Sequence, residues 1–354
     1  NYPHRKLHHL FNYHAMPLTT TPVENSVWGV GEEGAGTFVN CYRRYLQAKK
    51  YCQKRFEKFK YGNNSVHTVW AKNERITANY VFSFEELKKT PRGVLLFCGD
   101  SAHLPQIPNN SVDFIITDPP YFDNIHYSEL SNFFYVWLKA LLPENPYFKA
   151  DHVPTEKEAI VNVDMNKGEK EYRNLLISVF TECKRILKDE GSLIFTFHHT
   201  KRIAWWTLLR TMLESGFKII DYFPVVSEYK VNPHIRNKQS LNMDLVLVCK
   251  KSNIEHTHRT LDVSDIFNQV TKKLSLDHSS MNDNRAFLHF IGDLLVALCA
   301  TTDNNDLNYE WFDKALDYFE NELGKIKQKD RTIAKVNSAS YQQLRLFESD
   351  SDYH

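Results

Sequence analysis

With 354 residues, of which 42% are hydrophobic and 25% charged, the chain can bury one sizeable core and a smaller satellite, so one or two domains are expected. No apolar run reaches the length of a membrane span, Asn1 to Leu10 are polar and histidine-rich rather than a secretory signal, and the six cysteines are scattered with no C-x-x-C pair. These features speak against a membrane protein, a disulfide framework and a zinc ribbon, and make a cytoplasmic protein the default. The net charge of +1 conceals an asymmetry: Arg43, Arg44, Lys49, Lys50, Lys54, Arg55, Lys58 and Lys60 stand against Glu57 alone, and an acidic series between Asp303 and Glu322 offsets them.

There is no internal repeat and no low-complexity tract. In chain order, residues 1 to about 38 are loop-rich, Val39 to Tyr61 reads as one basic helix, and Phe82 to Lys89 reads as a short one. From about 91 to 251, strands and helices alternate. Val94 to Cys98 and Val112 to Thr117 are continuous apolar runs, which suit strands buried on both faces. Tyr127 to Leu142 carries apolar residues at helical spacing before Pro143, Glu169 to Lys188 is a second amphipathic helix, and Ser192 to Phe197 follows as a strand. Arg202 to Ser215 is a third helix, closed by Gly216. Phe217 to Phe223 and Met243 to Cys249 are strands with no helical pattern between them, which predicts an antiparallel pair. A helical region over 252–330, with strong segments Phe287 to Ala300 and Tyr309 to Lys327, and a polar tail over 331–354 complete the chain.

Asp118-Pro119-Pro120-Tyr121 follows a strand directly, the place where open α/β sheets hold their ligands. The residues suit chemistry at an amino nitrogen. Such a nitrogen is a poor nucleophile because its lone pair is delocalised into the ring, and two acceptors that hold its N–H groups orient it for attack. Asp118 offers one acceptor and the Pro119 carbonyl the other. Paired prolines fix φ and remove N–H groups, which stiffens the turn. Tyr121 offers a face on which an extruded base can stack, worth roughly 1–3 kcal/mol. The plainer alternative is a Pro-Pro turn with an aspartate helix cap.

The stretch Ile116 to Leu130, continuing through Lys139, resembles the large adenine-specific DNA methylases of bacteria and archaea, which are often found near defence genes. The likeness extends through Phe195 to His199 and Asp244 to Lys250. It implies an α/β fold of the class I, Rossmann-like methyltransferase kind, whose sheet ends in an antiparallel hairpin, with its N-terminal half incomplete here and a helical C-terminal region added. It implies S-adenosyl-L-methionine as cofactor and DNA as partner, with adenine N6 as the methylated atom. By the same likeness Gly99, Asp100 and Ser101 lie against the cofactor with Asp118, while Tyr121, Phe122, Asn124, His126, Tyr127, Phe197 and His198 lie against the target nucleotide. For Asp100 a turn or cap, for His198 a structural histidine, and for Asn124, His126 and Tyr127 simple loop packing are the alternatives.

Gly29-Val30-Gly31-Glu32-Glu33-Gly34 fits the pattern of a dinucleotide turn, yet no buried strand precedes it and a basic segment follows where an apolar strand should be, so a loop is expected there. The glycine-rich turn that the family uses is expected from an upstream segment or a second subunit. Two other activities stay open: methylation of cytosine N4 or of an RNA amino group, and a nucleic-acid-binding subunit of a split methyltransferase or defence complex that no longer binds cofactor. The basic, aromatic segment reads equally as a phosphate-binding helix and as an ordinary amphipathic one.

Overall fold

The computed structural model describes residues 37–61, 65–70, 77–226, 243–252, 262–276, 283–301 and 308–326. The glycine pattern at 29–34, the opening loop before Thr37 and the polar tail lie outside them.

The basic segment is not one helix. Helix α1 spans Phe38–Gln53, and the chain then turns extended at Lys54 to form β1 (Phe56–Tyr61), paired antiparallel with β2 (Ser65–Trp70). Phe56-Glu57-Lys58-Phe59-Lys60-Tyr61 holds three aromatic residues in six, a composition that favours the strand over a continued helix. A short parallel pair follows, β3 (Asn79–Val81) with β4 (Gly93–Leu95), joined by α2 (Phe84–Lys89). The Ser83 hydroxyl caps that helix by accepting from the Glu86 amide. The expected buried strand at Val94 to Cys98 is thus only three residues long and separate from the main sheet, with Leu96 and Phe97 exposed.

The main sheet contains β5 (Val112–Thr117), β6 (Leu187–Phe197), β7 (Phe217–Val226) and β8 (Met243–Lys251), in the order β5-β6-β8-β7. β5 and β6 run parallel, and β8 slots antiparallel between β6 and β7. The sheet is thus mixed, a parallel pair that ends in the predicted antiparallel hairpin.

One face of β6, β8 and β7 is fully buried, through Leu193, Phe195 and Phe197, Leu245, Leu247 and Cys249, and Phe217 and Ile219. Helices α4 (Glu169–Ile186), α5 (Arg202–Glu214) and α7 (Asp283–Thr301) cover it. Phe180 of α4 meets Phe195 with ring centroids 5.4 Å apart, and Trp205 of α5 meets Phe197 at 5.0 Å. α5 is buried almost throughout because helix α8, over residues 309–326, closes on its outer side, with Phe312 5.5 Å from Trp206. Arg202 at the start of α5 forms ion pairs with Asp313, Asp317 and Glu320 of α8. Gly216, with φ 78°, ends α5 in the left-handed conformation that glycine adopts without strain. α6 (Val263–Leu276) packs against α7.

The opposite face of the sheet is open at β5. Phe114 and Ile116 are 64% and 78% exposed, so β5 is not the doubly buried strand its composition predicts. Helix α3 (Tyr127–Leu141) buries Leu130 and Tyr135 while Phe133, Trp137 and Leu141 remain exposed.

At Gly292 in α7 a Cβ would lie 2.6 Å from the Tyr222 ring, whose hydroxyl donates to the His289 carbonyl at 3.1 Å. Gly292→Ala is therefore expected to lower stability by roughly 1–3 kcal/mol through overpacking, read as a lower midpoint in urea unfolding.

Candidate active site

The parallel register pairs Thr117 with Phe195, so the next residues, Asp118 and Thr196, emerge side by side at the carboxyl end of the sheet. The Thr196 hydroxyl donates to Asp118 Oδ1, and the Tyr121 hydroxyl donates to the same oxygen. Asp118 is exposed and forms no ion pair among the described residues, and its Oδ2 accepts nothing there. The two prolines are also distinct. The Pro120 carbonyl accepts from the Tyr172 hydroxyl at 3.0 Å, whereas the Pro119 carbonyl has no hydrogen-bond partner among the described residues. A carboxylate oxygen and a carbonyl oxygen thus remain available on one rigid turn.

Tyr121 sits beside Phe197 at 5.3 Å and His198 at 5.0 Å, edge to face in both cases. Burial, reinforced by the Asp118 carboxylate, pushes its phenol well above the usual tyrosine range, so it stays a hydrogen-bond donor. Phe197 is fully buried and backs Tyr121 from the core. His198 pairs through Nδ1 with Asp244 across the β6–β8 ladder.

Phe122 lies in the core at 5% exposure, its ring 5.4 Å from Tyr172 and 5.5 Å from His199. Its place is a brace for the turn rather than a surface for a nucleotide. The Asn124 amide donates to the Tyr121 carbonyl, closing the turn. His126 Nδ1 is 3.4 Å from Glu129, and Asn162 Nδ2 donates to the same carboxylate at 2.8 Å. Tyr127 is half-exposed at the start of α3. Ser128 is held through both its amide and its hydroxyl by Glu158. The Tyr127-Ser128-Glu129 run therefore anchors α3 to the loop at 158–162.

Gly99, Asp100 and Ser101, expected from the sequence to lie against the cofactor, begin a tight turn: Asp100 Oδ1 accepts from the Ala102 amide at 2.9 Å, and Oδ2 lies 3.4 Å from Lys157 Nζ. Arg185 clamps the following loop through the carbonyls of Leu104 and Ile107, and its guanidinium holds the Glu182 carboxyl down at about 2.

The DNA methylase family model, of the N6/N4 type, matches residues 112–343, the span that carries this turn and the sheet beneath it. The chain belongs to the DNA methylase family. No curated protein matches it. Among solved structures, one described as a DNA modification methylase from Thermus thermophilus is similar at 14% identity and a TM-score of 0.26, over 49% of this chain and 60% of that one. Its complex with S-adenosyl-L-methionine is similar at 12% identity and a TM-score of 0.25, over 49% and 63%. The PvuII DNA methyltransferase, cytosine-N4-specific, is similar at 14% identity and a TM-score of 0.26, over 64% and 92%. The chain thus spans about three fifths of the Thermus methylase.

Several residues of this candidate site escape sequence reasoning. Thr196 is one; its readable signal is a hydroxyl between two buried phenylalanines at a strand end. The other group is Asp123, His199 and Lys201. His199 Nε2 donates to Asp123 Oδ1 at 2.8 Å, and Nδ1 accepts from the Lys201 amide at 2.9 Å, an arrangement that only the neutral ring satisfies. Lys201 Nζ also pairs with Asp123. Burial lowers the His199 pKa despite the adjacent carboxylate, and although burial opposes it, hydrogen bonds from Lys201 and His199 lower that of Asp123.

The unfolded chain takes up a proton at this histidine near pH 6.5 while the folded one resists it, so the stabilisation is complete above that pH and is lost as the pH falls through the depressed value. The protein is expected to melt at progressively lower temperature below about pH 6.5. His199→Gln should flatten that part of the profile of melting temperature against pH.

Proposed function

We propose that this methylase transfers a methyl group to the exocyclic N6 of adenine in DNA, with the base turned out of the duplex onto the Asp118–Tyr121 turn. The observation that carries the reading is the pair of available acceptors, Asp118 Oδ2 and the Pro119 carbonyl, beside an aromatic ring and at the carboxyl end of the sheet. Two acceptors match the two hydrogens of one amino group. By fixing both, they turn the nitrogen lone pair out of the ring plane and towards the donor side. Thr196 and Tyr121 hold the other carboxylate oxygen, so Asp118 is oriented before a substrate arrives. The choice of adenine over cytosine rests on the likeness of Ile116 to Lys139 to adenine-specific enzymes.

When bound, S-adenosyl-L-methionine supplies an electrophilic methyl group. The residues around Asp100 fit its adenosine end. Gly99 leaves space, since a Cβ there would approach no neighbour closer than 3.7 Å, and Leu96 and Phe97 expose apolar surface beside it. Asp100 carries an acceptor whose only ion pair among the described residues, with Lys157, is a solvent-exposed contact worth little and readily exchanged. The glycine-rich turn for the methionine end comes from an upstream segment or a second subunit seated on the open face of β5, a reading supported by the exposed Phe114 and Ile116.

Incubation with DNA and tritiated S-adenosylmethionine, then nucleoside analysis, tests the proposal. N6-methyladenine is the expected product. Label in N4-methylcytosine, or in RNA alone, overturns the choice of base or polymer, and calorimetric titration with the donor separates failure to bind it from failure of chemistry.

A further inference from the structure

The catalytic turn makes no use of the basic unit formed by α1 and the β1–β2 hairpin. No residue of α1 is buried, and Phe38, Tyr42, Tyr45 and Leu46 stand exposed at helical spacing along one side. A helix that serves only as scaffold turns such a stripe inward. Here cations are built into the stripe and along its border: Lys49 Nζ lies 5.3 Å from the Tyr45 ring centroid, and Lys50 and Arg43 flank it.

The hairpin repeats the pattern. Phe56 and Trp70 are register partners on one face with rings 5.1 Å apart; Lys54 Nζ lies 4.8 Å from the Trp70 ring and Lys58 Nζ 5.6 Å from the Phe56 ring. The exposed Tyr45 and Trp70 rings and the half-buried Phe56 ring bias these ammonium groups towards the same surface by cation–π attraction, about 0.5–1 kcal/mol each at exposed sites. Between Val39 and Tyr61, eight Lys and Arg residues face one acid in a chain whose net charge is only +1, so the positive field is concentrated in this unit. A concentration of cations on one unit is complementary to the row of phosphates along a nucleic-acid backbone.

We propose that α1 and the β1–β2 hairpin form a docking surface for the phosphate backbone of duplex DNA, separate from the turn that receives the base. The choice of DNA rests on the function proposed above, while the surface itself is defined by charge and exposure.

The test is fluorescence anisotropy of the full chain with a labelled duplex of arbitrary sequence over a series of salt concentrations, for the wild type, Lys49→Glu/Lys50→Glu and Lys54→Glu/Lys58→Glu. Each double variant is expected to weaken binding at least about tenfold and to flatten the salt slope by about 0.9 for each phosphate that is no longer neutralised. The corresponding Lys→Gln pairs, which remove charge without reversing it, should show a smaller loss in the same direction at an unchanged melting temperature. Wild-type affinity in all four variants overturns the proposal, as does tighter binding of an RNA hairpin or of polyglutamate than of the duplex. Asp118→Ala is expected to bind the duplex as the wild type does, so loss of methyl transfer with binding retained reports on the catalytic reading alone.

Discussion

Asp118→Ala is expected to lower methyl incorporation into DNA by a factor on the order of 10³ or more, at the upper end of what loss of one preorganised polar group costs. The substitution removes the acceptor proposed to hold the amino group and also releases the hydroxyls of Thr196 and Tyr121, which converge on the same carboxylate. Because Asp118 is exposed and makes no ion pair among the described residues, folding stability should change by no more than about 0.5 kcal/mol. Scintillation counting of labelled DNA and a thermal melt together check both halves. Asp118→Asn, which keeps one acceptor oxygen but puts an amide NH2 donor where the other belongs, should fall between the wild type and the alanine variant. Full activity in the alanine variant removes the basis for the assigned role.

Trp205→Ala is expected to have the largest effect on stability, about 3–5 kcal/mol, as for other large aromatic truncations in cores. Trp205 is completely buried, meets Phe197 and Phe287, and donates its indole N–H to the His199 carbonyl at 2.9 Å. Removing it leaves a cavity directly behind the residue that backs Tyr121 and deprives a buried carbonyl of its donor. Urea unfolding should show a lower midpoint at an unchanged slope. Activity measured well below the new midpoint should also drop, since the strand end carrying Thr196 and His198 loses its support.

Much of this arrangement can be read along the chain because it is local. Val112 to Thr117 followed by Asp-Pro-Pro-Tyr announces a strand that ends in a stiff turn, and the helix from Arg202 closed by Gly216 carries its own stop signal. The parts that are not legible depend on distant partners or on weak punctuation. β1 reads as a continuation of α1 because neither glycine nor proline separates them; only the density of aromatic residues from Phe56 to Tyr61 marks the change. β6 begins at Leu187 rather than Ser192 because Leu187 pairs with Val112 and Lys188 reaches Asp113, contacts that no local pattern predicts. The role of Thr196 likewise exists only through its contact with Asp118, 78 positions away. The exposure of Phe114 and Ile116 cannot be read from composition, since an apolar strand looks the same whether or not its second face is covered.

Phe122 has φ 52°, a left-handed geometry that a bulky side chain adopts at a cost of order 1–3 kcal/mol. It is kept there from outside the turn: its carbonyl accepts from the Val161 amide, its own amide meets the Tyr172 hydroxyl, and its ring is enclosed by the core. The bend that presents Asp118 is thus already in its working shape in the resting molecule. Whatever entropy is lost in freezing that segment is charged once, during folding, and does not recur at every turnover.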